Sequence, residues 1–337
     1  IDLLSHVVED GRHRINLSHP LNPRSKHRVE ERSCPDRNDE YLLYQTLIGV
    51  WPDGPLDDAG LARFRDRIRD YMLKAVREAK VHTSWIKPNA EYEDAVGDFV
   101  ARVLERSPGN LFLGDFADFQ AAVSYFGKLN SLAQLVLKLM APGVPDFYQG
   151  TELWAFTLVD PDNRRAVDYT LRRRLFADVR RLGGLEGDAL REAVAEMLAG
   201  LDDGRIKLYI MWRLLRLREE QAALLARGEY TGLQPQGSKA DHLVGLLRRR
   251  GETAVAAVVP RWCYRLCAGQ HCGAVGEAVW GDTGVPLPGA GAGTRVVNRL
   301  TGEEVTLEAG ASGEGVAAIA ALFRTLPLAV LQYTSTE

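Results

Sequence analysis

Residues 139–169 read LMAPGVPDFYQGTELWAFTLVDPDNRRAVDY, and this segment decides the fold that the sequence predicts. It starts with the apolar end of a helix, which Pro142-Gly143 terminates because both residues disfavour helix continuation. Residues 144–148 are long enough for one buried strand and too short for a helix, and Gly150 ends that run. A polar loop follows. A buried parallel strand that leads into such a loop is how a (β/α)8 barrel forms its ligand-binding face.

The loop after this strand is crowded with polar and charged side chains. They are Gln149, Glu152, Asp160, Asp162, Asn163, Arg164, Arg165 and Asp168. Loops on a protein surface carry such residues because they are solvated, so a purely structural loop is one interpretation. A ligand-binding loop at the end of a barrel strand is the other.

Four sequence segments resemble a known family. PGVPDFYQGTELW (142–154) is similar to the eighth barrel strand of the α-amylase superfamily (glycoside hydrolase family 13), and DPDNRR (160–165) resembles the superfamily's Asp-Pro-x-Asn-Arg sugar loop. PDRNDEYLLYQTLIGVWP (35–52) and EAKVHTSWIKPNAEYE (78–93) narrow the resemblance to the maltooligosyltrehalose synthases, to whose C-terminal half the chain is similar over nearly its whole length.

The predicted fold class is multidomain α+β, with three segments in the order that the resemblance implies. Residues 1–138 are an irregular lead-in and a helical insertion domain. Residues 139–235 are the end of a (β/α)8 barrel, with its last strand, the sugar loop and closing helices. Residues 236–337 form an antiparallel β-sandwich, because turn residues there separate short apolar runs.

Apolar spacing predicts the helices of the first segment. One begins near Asp39, a second is capped by Asp57 or Asp58, and a third begins near Asn89. The second buries a stripe at helical spacing: Leu61, Phe64, Ile68, Met72 and Val76. Later helices are predicted over 112–139, 171–181, 189–201 and 205–221. Strands are predicted over 242–249, 253–260, 305–308 and 328–334, and a Gly/Ala-rich loop over 288–293.

No catalytic residue is assigned in this chain. A retaining glycosidase needs a carboxylate nucleophile and a carboxylic acid about 5 Å apart. The resemblance places both on earlier barrel strands, which we expect upstream of Ile1. Leu3-Leu4 stands where the family has a supporting His-Asp pair, and we expect Asp2, His6 and Asp10 to be surface residues.

Two groups of residues are candidates for substrate binding. The resemblance implies that Asp160 and Arg164 hold hydroxyls of the nonreducing glucose; the alternative is a salt bridge within the loop. The other candidates are Arg165, which can instead brace Asp168 or Glu152, and Tyr148, Glu152, Lys80, His82 and Trp85. Lys80 and His82 offer hydrogen bonds and Trp85 offers a stacking face for a released glucose, although Trp85 can also pack between helices. Trp154 either walls the pocket or packs.

Composition limits the cofactors and partners. The net charge of −3 gives no reason to expect nucleic acid or an anionic membrane as a partner. No secretory signal or long apolar run is apparent, which favours a cytoplasmic protein. Cys263, Cys267, His271 and Cys272 lack the C-x2-C pairs of a zinc site, so no metal or cofactor is expected and the cysteines are predicted to be reduced thiols.

The resemblance implies a function for the whole enzyme. It turns the reducing-end α-1,4 linkage of a maltooligosaccharide into an α,α-1,1 linkage by a retaining, intramolecular transglucosylation. The expected partners are the glucan substrate and a missing N-terminal barrel half. Two alternatives remain: another hydrolase or transglycosylase of the superfamily, and a non-catalytic carbohydrate-binding fragment.

Overall fold

A computed structural model describes residues 26–29, 32–54, 56–311 and 313–335. These residues form a mixture of helices and antiparallel sheets, which confirms the α+β prediction at that level. Two compact units are present: Ile1–Ser124 with Phe156–Ala166, and Tyr125–Ala155 with Val167–Glu337. Most of the predicted lead-in, with Asp2, His6 and Asp10, lies outside the described residues.

The first unit is mainly helical, as predicted. It contains the short antiparallel pair β1 (His27–Val29) and β2 (Arg32–Cys34), then α1 (Arg37–Val50), α2 (Asp58–Ala79) and α3 (Ala90–Val103). The next helix, α4 (Leu111–Met140), belongs to this unit up to Ser124. Side chains of Asp36, Asp57 and Asn89 accept hydrogen bonds from backbone N–H groups at the starts of α1, α2 and α3. These caps fix where each helix begins.

Helix α2 confirms the apolar spacing that predicted it. All five residues of its stripe are buried: Leu61, Phe64, Ile68, Met72 and Val76. They pack with α1, α3 and the start of α4 in one core. Because the stripe occupies one side of α2, its polar residues remain on the other sides. Several of them contact the candidate site described below.

After the polar loop, the chain of the second unit forms four helices. They are α5 (Tyr169–Leu182), α6 (Gly187–Ala199), α7 (Arg205–Glu220) and α8 (Ala222–Arg227). The predicted stripe of α7 is buried: Ile206, Ile210, Leu214 and Leu217. These residues pack against the second half of α4 and one face of a sheet.

Two antiparallel sheets complete the second unit. Their strands are β3 (Glu229–Leu233), β4 (Leu243–Arg250), β5 (Thr253–Pro260), β6 (Gly284–Gly291), β7 (Arg295–Asn298), β8 (Glu304–Thr306), β9 (Glu308–Ala309), β10 (Glu314–Ala318) and β11 (Ala329–Thr334). The six-stranded sheet has the order β3-β4-β5-β11-β7-β8, and the three-stranded sheet has the order β6-β10-β9. Short helices α9 (Cys263–Leu266), α10 (Glu277–Trp280) and α11 (Ile319–Leu322) lie between strands in the sequence.

The central strands of the six-stranded sheet are buried on both faces, whereas the edge strands β3 and β8 are mostly exposed. On β5, Val255 and Val259 belong to the core shared with the helices, whereas Ala254, Ala256 and Val258 belong to a core that includes β6 and β10. This alternation follows from the two-residue period of a strand. It explains why β5 reads as a continuous apolar run.

The predicted loop over 288–293 is wrong for most of its length, because β6 extends to Gly291. Val285 and Leu287 are buried, and the strand pairs with β10 through a register shift beside Glu314. Glycine, alanine and proline in β6 hide the apolar alternation that would have revealed a strand. Pairing with β10 therefore defines β6 as a strand, although the sequence of β6 alone has no clear strand pattern.

The predicted buried strand over 144–148 is also wrong. The structure assigns no strand there, and the side chains of Val144 and Tyr148 are 94% and 49% exposed. A strand requires a neighbour that satisfies its backbone N–H and C=O groups. Among the described residues, all strand pairs are antiparallel and none includes this segment.

The cysteines differ from the prediction of reduced thiols. Cys267 and Cys272 form a disulfide, with a Cα–Cα distance of 5.9 Å. Cys34 and Cys263 are buried and do not form a disulfide. Among the described residues, no helix is both long enough and apolar enough to cross a membrane.

Candidate functional site

The 156–165 loop lies against helix α2 in the first unit. Arg67 of α2 donates from Nε to both carboxylate oxygens of Asp162, at 3.0 and 2.9 Å, and from Nη2 to the carbonyl of Phe156. Asp162 also accepts from the N–H of Leu158 at 2.7 Å and pairs with Arg165 at 2.8 Å. The side chains of Arg67 and Asp162 are 11% and 9% exposed. Asp162 is therefore the buried centre of the loop.

Asp160 and Arg164 flank this centre and face solvent. Arg164 Nε lies 2.5 Å from Asp160 Oδ1, with side chains 72% and 45% exposed respectively. This ion-pair distance is short, but the contact lacks hydrogen-bond geometry. Asp160 Oδ1 is buried and accepts no hydrogen bond from the described residues. Lys74 of α2 donates to the backbone carbonyl of Asp160. The predicted loop salt bridge is present, and both side chains remain reachable by a ligand.

A cleft of about 110 Å³ separates the loop from α2. Its lining residues are Arg67, Asp70, Tyr71, Lys74, Val159, Asp160, Pro161, Asp162 and Arg165. Three of these are cationic and three are acidic, so the cleft has no excess of either sign. Balanced charge with one aromatic ring suits an uncharged, hydroxyl-rich ligand better than an anion.

The 80–85 segment follows the end of α2. Lys80 is the exposed left-handed residue that ends the helix, with φ of 59°. Trp85 is 57% exposed, and the guanidinium of Arg77 lies 4.7 Å from its ring centre. Glu93 holds Arg77 through two hydrogen bonds, at 2.9 and 2.6 Å. Trp85 thus rests on a fixed cation and does not pack between helices, while its ring stays accessible.

His82 belongs to a hydrogen-bonded network at the start of α1. Its Nε2 lies 2.8 Å from Asp36 Oδ2, and its ring stacks on Tyr92 at 4.5 Å. Tyr92 donates its hydroxyl to Asp39 at 2.5 Å. Burial alone would raise the pKa of Asp36, but hydrogen bonds from Asp39 N–H and His82 lower it overall. Burial raises the pKa of Asp39.

The same network contains a possible set of metal ligands. Atoms of Asp36, Asp39 and His82 lie within 4.8 Å of one another. Each residue already has a partner, because Asp36 caps α1 and bonds His82 while Asp39 bonds Tyr92. These contacts account for the cluster without an ion, so we do not assign a metal centre to it.

Tyr148 and Glu152, the other predicted site residues, lie in the second unit. Tyr148 is half-exposed, and Glu152 pairs with Arg172 at 2.9 Å. Burial would raise the pKa of Glu152, but the hydrogen bond from Arg172 outweighs it and the pKa is lowered. Trp154 packs against the core and donates to the Leu201 carbonyl.

Arg165 braces neither of its two predicted partners. It pairs with Asp162, while Asp168 caps α5 and Glu152 pairs with Arg172. Sequence reasoning did not assign roles to Arg67, Lys74, Arg77 or Glu93. Arg67 and Asp162 are 95 positions apart, so no local pattern connects them. The sequence feature that could have identified Asp162 is its position inside the DPDNRR motif.

No protein-family model matches the sequence. A Mycobacterium tuberculosis protein with the provisional name maltooligosyl trehalose synthase is 36% identical over 255 residues, or 76% of this chain. The solved maltooligosyltrehalose synthase of Arthrobacter ramosus matches 98% of the chain with a TM-score of 0.72 and 29% identity. The chain belongs to the maltooligosyltrehalose synthase family. The predicted resemblance to the maltooligosyltrehalose synthases is therefore confirmed.

The match covers only part of each relative. The chain spans 28% of the length of the M. tuberculosis protein and 36% of the A. ramosus structure. A Sulfolobus tokodaii structure described as a hypothetical maltooligosyl trehalose synthase has a TM-score of 0.63 at 26% identity, with 35% of its length matched. The chain corresponds to a C-terminal part of these maltooligosyltrehalose synthases.

Proposed function

We propose that this chain supplies glucan-binding groups to a maltooligosyltrehalose synthase. The enzyme converts the reducing-end α-1,4 linkage of a maltooligosaccharide into an α,α-1,1 linkage, which is an isomerase reaction with a retaining mechanism. The main support is the exposed Asp160–Arg164 pair on a loop that Arg67 and Lys74 hold against α2. Asp160 accepts and Arg164 donates hydrogen bonds to hydroxyls of the nonreducing glucose.

We assign a second binding role to the 80–85 segment, which contacts the released glucose. Trp85 offers an exposed ring whose position is fixed by Arg77, and such a ring can stack on the apolar face of a sugar. Lys80, five residues earlier in the sequence, is exposed and donates hydrogen bonds to sugar hydroxyls. Because Asp36 engages Nε2 of His82, the other ring nitrogen is the one offered to sugar. Arg165 supports the loop through its ion pair with Asp162, and Tyr148 and Glu152 are further proposed substrate-binding residues.

The proposal assigns bond cleavage to other parts of the enzyme. No described residue is assigned as nucleophile or general acid, and the resemblance places both on earlier barrel strands. The second partner is therefore an N-terminal barrel half that carries them. No metal or organic cofactor enters the proposed reaction.

Maltopentaose binding tests the proposal directly. We expect the chain to bind maltopentaose and to form no nonreducing trehalosyl product. Loss of one charge-assisted hydrogen bond in the Asp160→Asn variant should raise the Kd about tenfold. Calorimetry measures the Kd, and chromatography detects the product. Absence of binding would contradict the assigned sugar contacts, and a trehalosyl product would contradict the assignment of catalysis elsewhere.

A further inference from the structure

The 156–165 loop is held by buried contacts near its start and at its centre. Arg67 reaches the Phe156 carbonyl with Nη2 and the Asp162 carboxylate with Nε. Asp162 in turn accepts from Leu158 N–H and pairs with Arg165. One side chain of α2 thus contacts two parts of the loop that are six residues apart.

The exposed Asp160–Arg164 ion pair cannot hold the 156–165 loop in place. Arg164 is largely solvated and Asp160 is about half-exposed, and such an ion pair contributes little because solvent screens it and two side chains must be ordered. The Arg67–Asp162 pair is about nine-tenths buried, and the guanidinium is held at two points, because Nε–H is shared between both Asp162 oxygens and Nη2 donates to the Phe156 carbonyl. Removing Arg67 would leave the Asp162 carboxylate with the exposed Arg165 as its only cationic partner in the described part of the chain.

We propose that Arg67 is a positioning residue: through Asp162 it sets the orientation in which Asp160 and Arg164 meet a glucosyl unit. Asp162–Arg164 form a 3-10 turn, so the direction of Asp162 and the course of the backbone to Arg164 are linked. Lys74 anchors the backbone carbonyl of Asp160 on the other side of Asp162 in the sequence. The inference rests on the proposed glucan-binding role of the loop.

A ligand-free measurement tests whether Arg67 fixes the loop. Trypsin cleaves after Arg164 and Arg165, and cleavage of a folded chain follows the population of locally open forms. We expect Arg67→Met and Asp162→Asn to raise the cleavage rate after these residues about tenfold, the effect of losing one charge-assisted hydrogen bond. Arg63→Met is the matched control, because Arg63 is an exposed arginine of α2 one turn earlier.

A binding measurement then separates positioning from stability. Well below the Tm of each variant, Arg67→Met should raise the Kd for maltopentaose about tenfold. Arg67→Lys should raise it less, because lysine keeps the positive charge but lacks the planar guanidinium whose separated donors bond Asp162 and the Phe156 carbonyl at the same time. A purely structural residue would lower the Tm and leave the Kd of the folded protein unchanged.

The outcomes are distinguishable from failure of the proposed function. If the wild-type chain does not bind maltopentaose, the proposed function is wrong, and the proteolysis result still decides whether Arg67 fixes the loop. If maltopentaose binds but the Kd and the cleavage rate of Arg67→Met equal those of Arg63→Met, the positioning role is overturned. Should Arg67→Met not fold, Arg67→Lys and Asp162→Asn give the same comparison.

Discussion

At the scale of single residues, Glu93 determines how the 80–85 segment is held. It accepts two hydrogen bonds from Arg77 and one from Thr83 at 2.6 Å. The hydrogen bonds from Arg77 lower the pKa of Glu93 below its ordinary 4.5. A lowered folded-state pKa stabilises the protein above the unfolded-state pKa, and the stabilisation is lost as the pH falls through the folded-state value.

We predict that Glu93→Gln lowers the free energy of unfolding by about 2 kcal/mol at neutral pH. The difference from wild type should start to shrink as the pH falls below 4.5, where the carboxylate of the unfolded state becomes protonated, and should be lost below the lower folded-state pKa. Urea unfolding measured as a function of pH gives both quantities. Asp98→Asn is the control, because Asp98 is 60% exposed on the same helix and should change stability by less than about 0.5 kcal/mol. A pH-independent difference would contradict the assignment.

Lys207 is the second residue with a measurable consequence. Burial, with a smaller contribution from Lys138, lowers its pKa to about 8. Its Nζ donates to the Leu153 carbonyl at 3.0 Å and lies 5.2 Å from the Trp154 ring centre. We predict that trace acetylation of Lys207, followed by mass spectrometry, shows a titration midpoint near pH 8, with exposed Lys87 as the reactivity reference. A midpoint near 10.5, the ordinary lysine value, would contradict the effect of burial.

At the scale of elements, the contact between α5 and α7 requires a glycine. A Cβ at Gly183, which ends α5, would overlap Cη2 of Trp212 and lie 2.8 Å from its Cζ3. The Trp212 ring packs edge-on against Phe176, so it cannot withdraw freely. We predict that Gly183→Ala lowers the free energy of unfolding by about 1–3 kcal/mol, as overpacking does.

The neighbouring glycine provides the control for this prediction. A Cβ at Gly184 would come no closer than 3.8 Å to the Arg181 carbonyl oxygen. Gly184→Ala should therefore be close to neutral, and Trp212→Phe should restore part of the stability lost in Gly183→Ala because it removes the clashing ring. Thermal unfolding of the three single variants and the double variant measures the coupling. Equal effects of the two alanine substitutions would contradict the steric explanation.

Elements with a strong local pattern were predicted from the sequence. Helix α2 has an N-cap and an apolar stripe, and both are present in the structure. Strand β5 was predicted with its observed ends because it is continuously apolar between turn residues. Strand β6 was missed because its register depends on β10, which follows more than twenty residues later. Pairing between distant strands has no signature in either strand alone.

At the scale of the whole molecule, the sequence located the loop but not its support. The DPDNRR motif identified Asp160 and Arg164 through a resemblance to known sugar loops. The side chains that hold this loop, Arg67 and Lys74, come from a helix about ninety positions earlier. Their selection depends on tertiary packing, which helical spacing does not encode. The structure therefore contributes the supporting contacts.

The 144–148 segment leads to a prediction about the molecule as a whole. Among the described residues, the N–H groups of Val144, Asp146 and Phe147 donate no backbone hydrogen bond, although Lys138 donates to the Asp146 carbonyl at 2.8 Å. Unprotected amides exchange with solvent at rates near those of unfolded chains, whereas the buried amides of β5 should exchange only on larger opening. Hydrogen exchange followed by mass spectrometry should therefore show rapid exchange over 144–148 and slow exchange over 253–260 in one sample. Slow exchange over 144–148 that disappears on dilution would show that the segment pairs with a second copy, since an unpaired strand can recruit another chain. Slow exchange independent of concentration would show that a strand forms within the chain, and the observed absence of pairing would then be wrong.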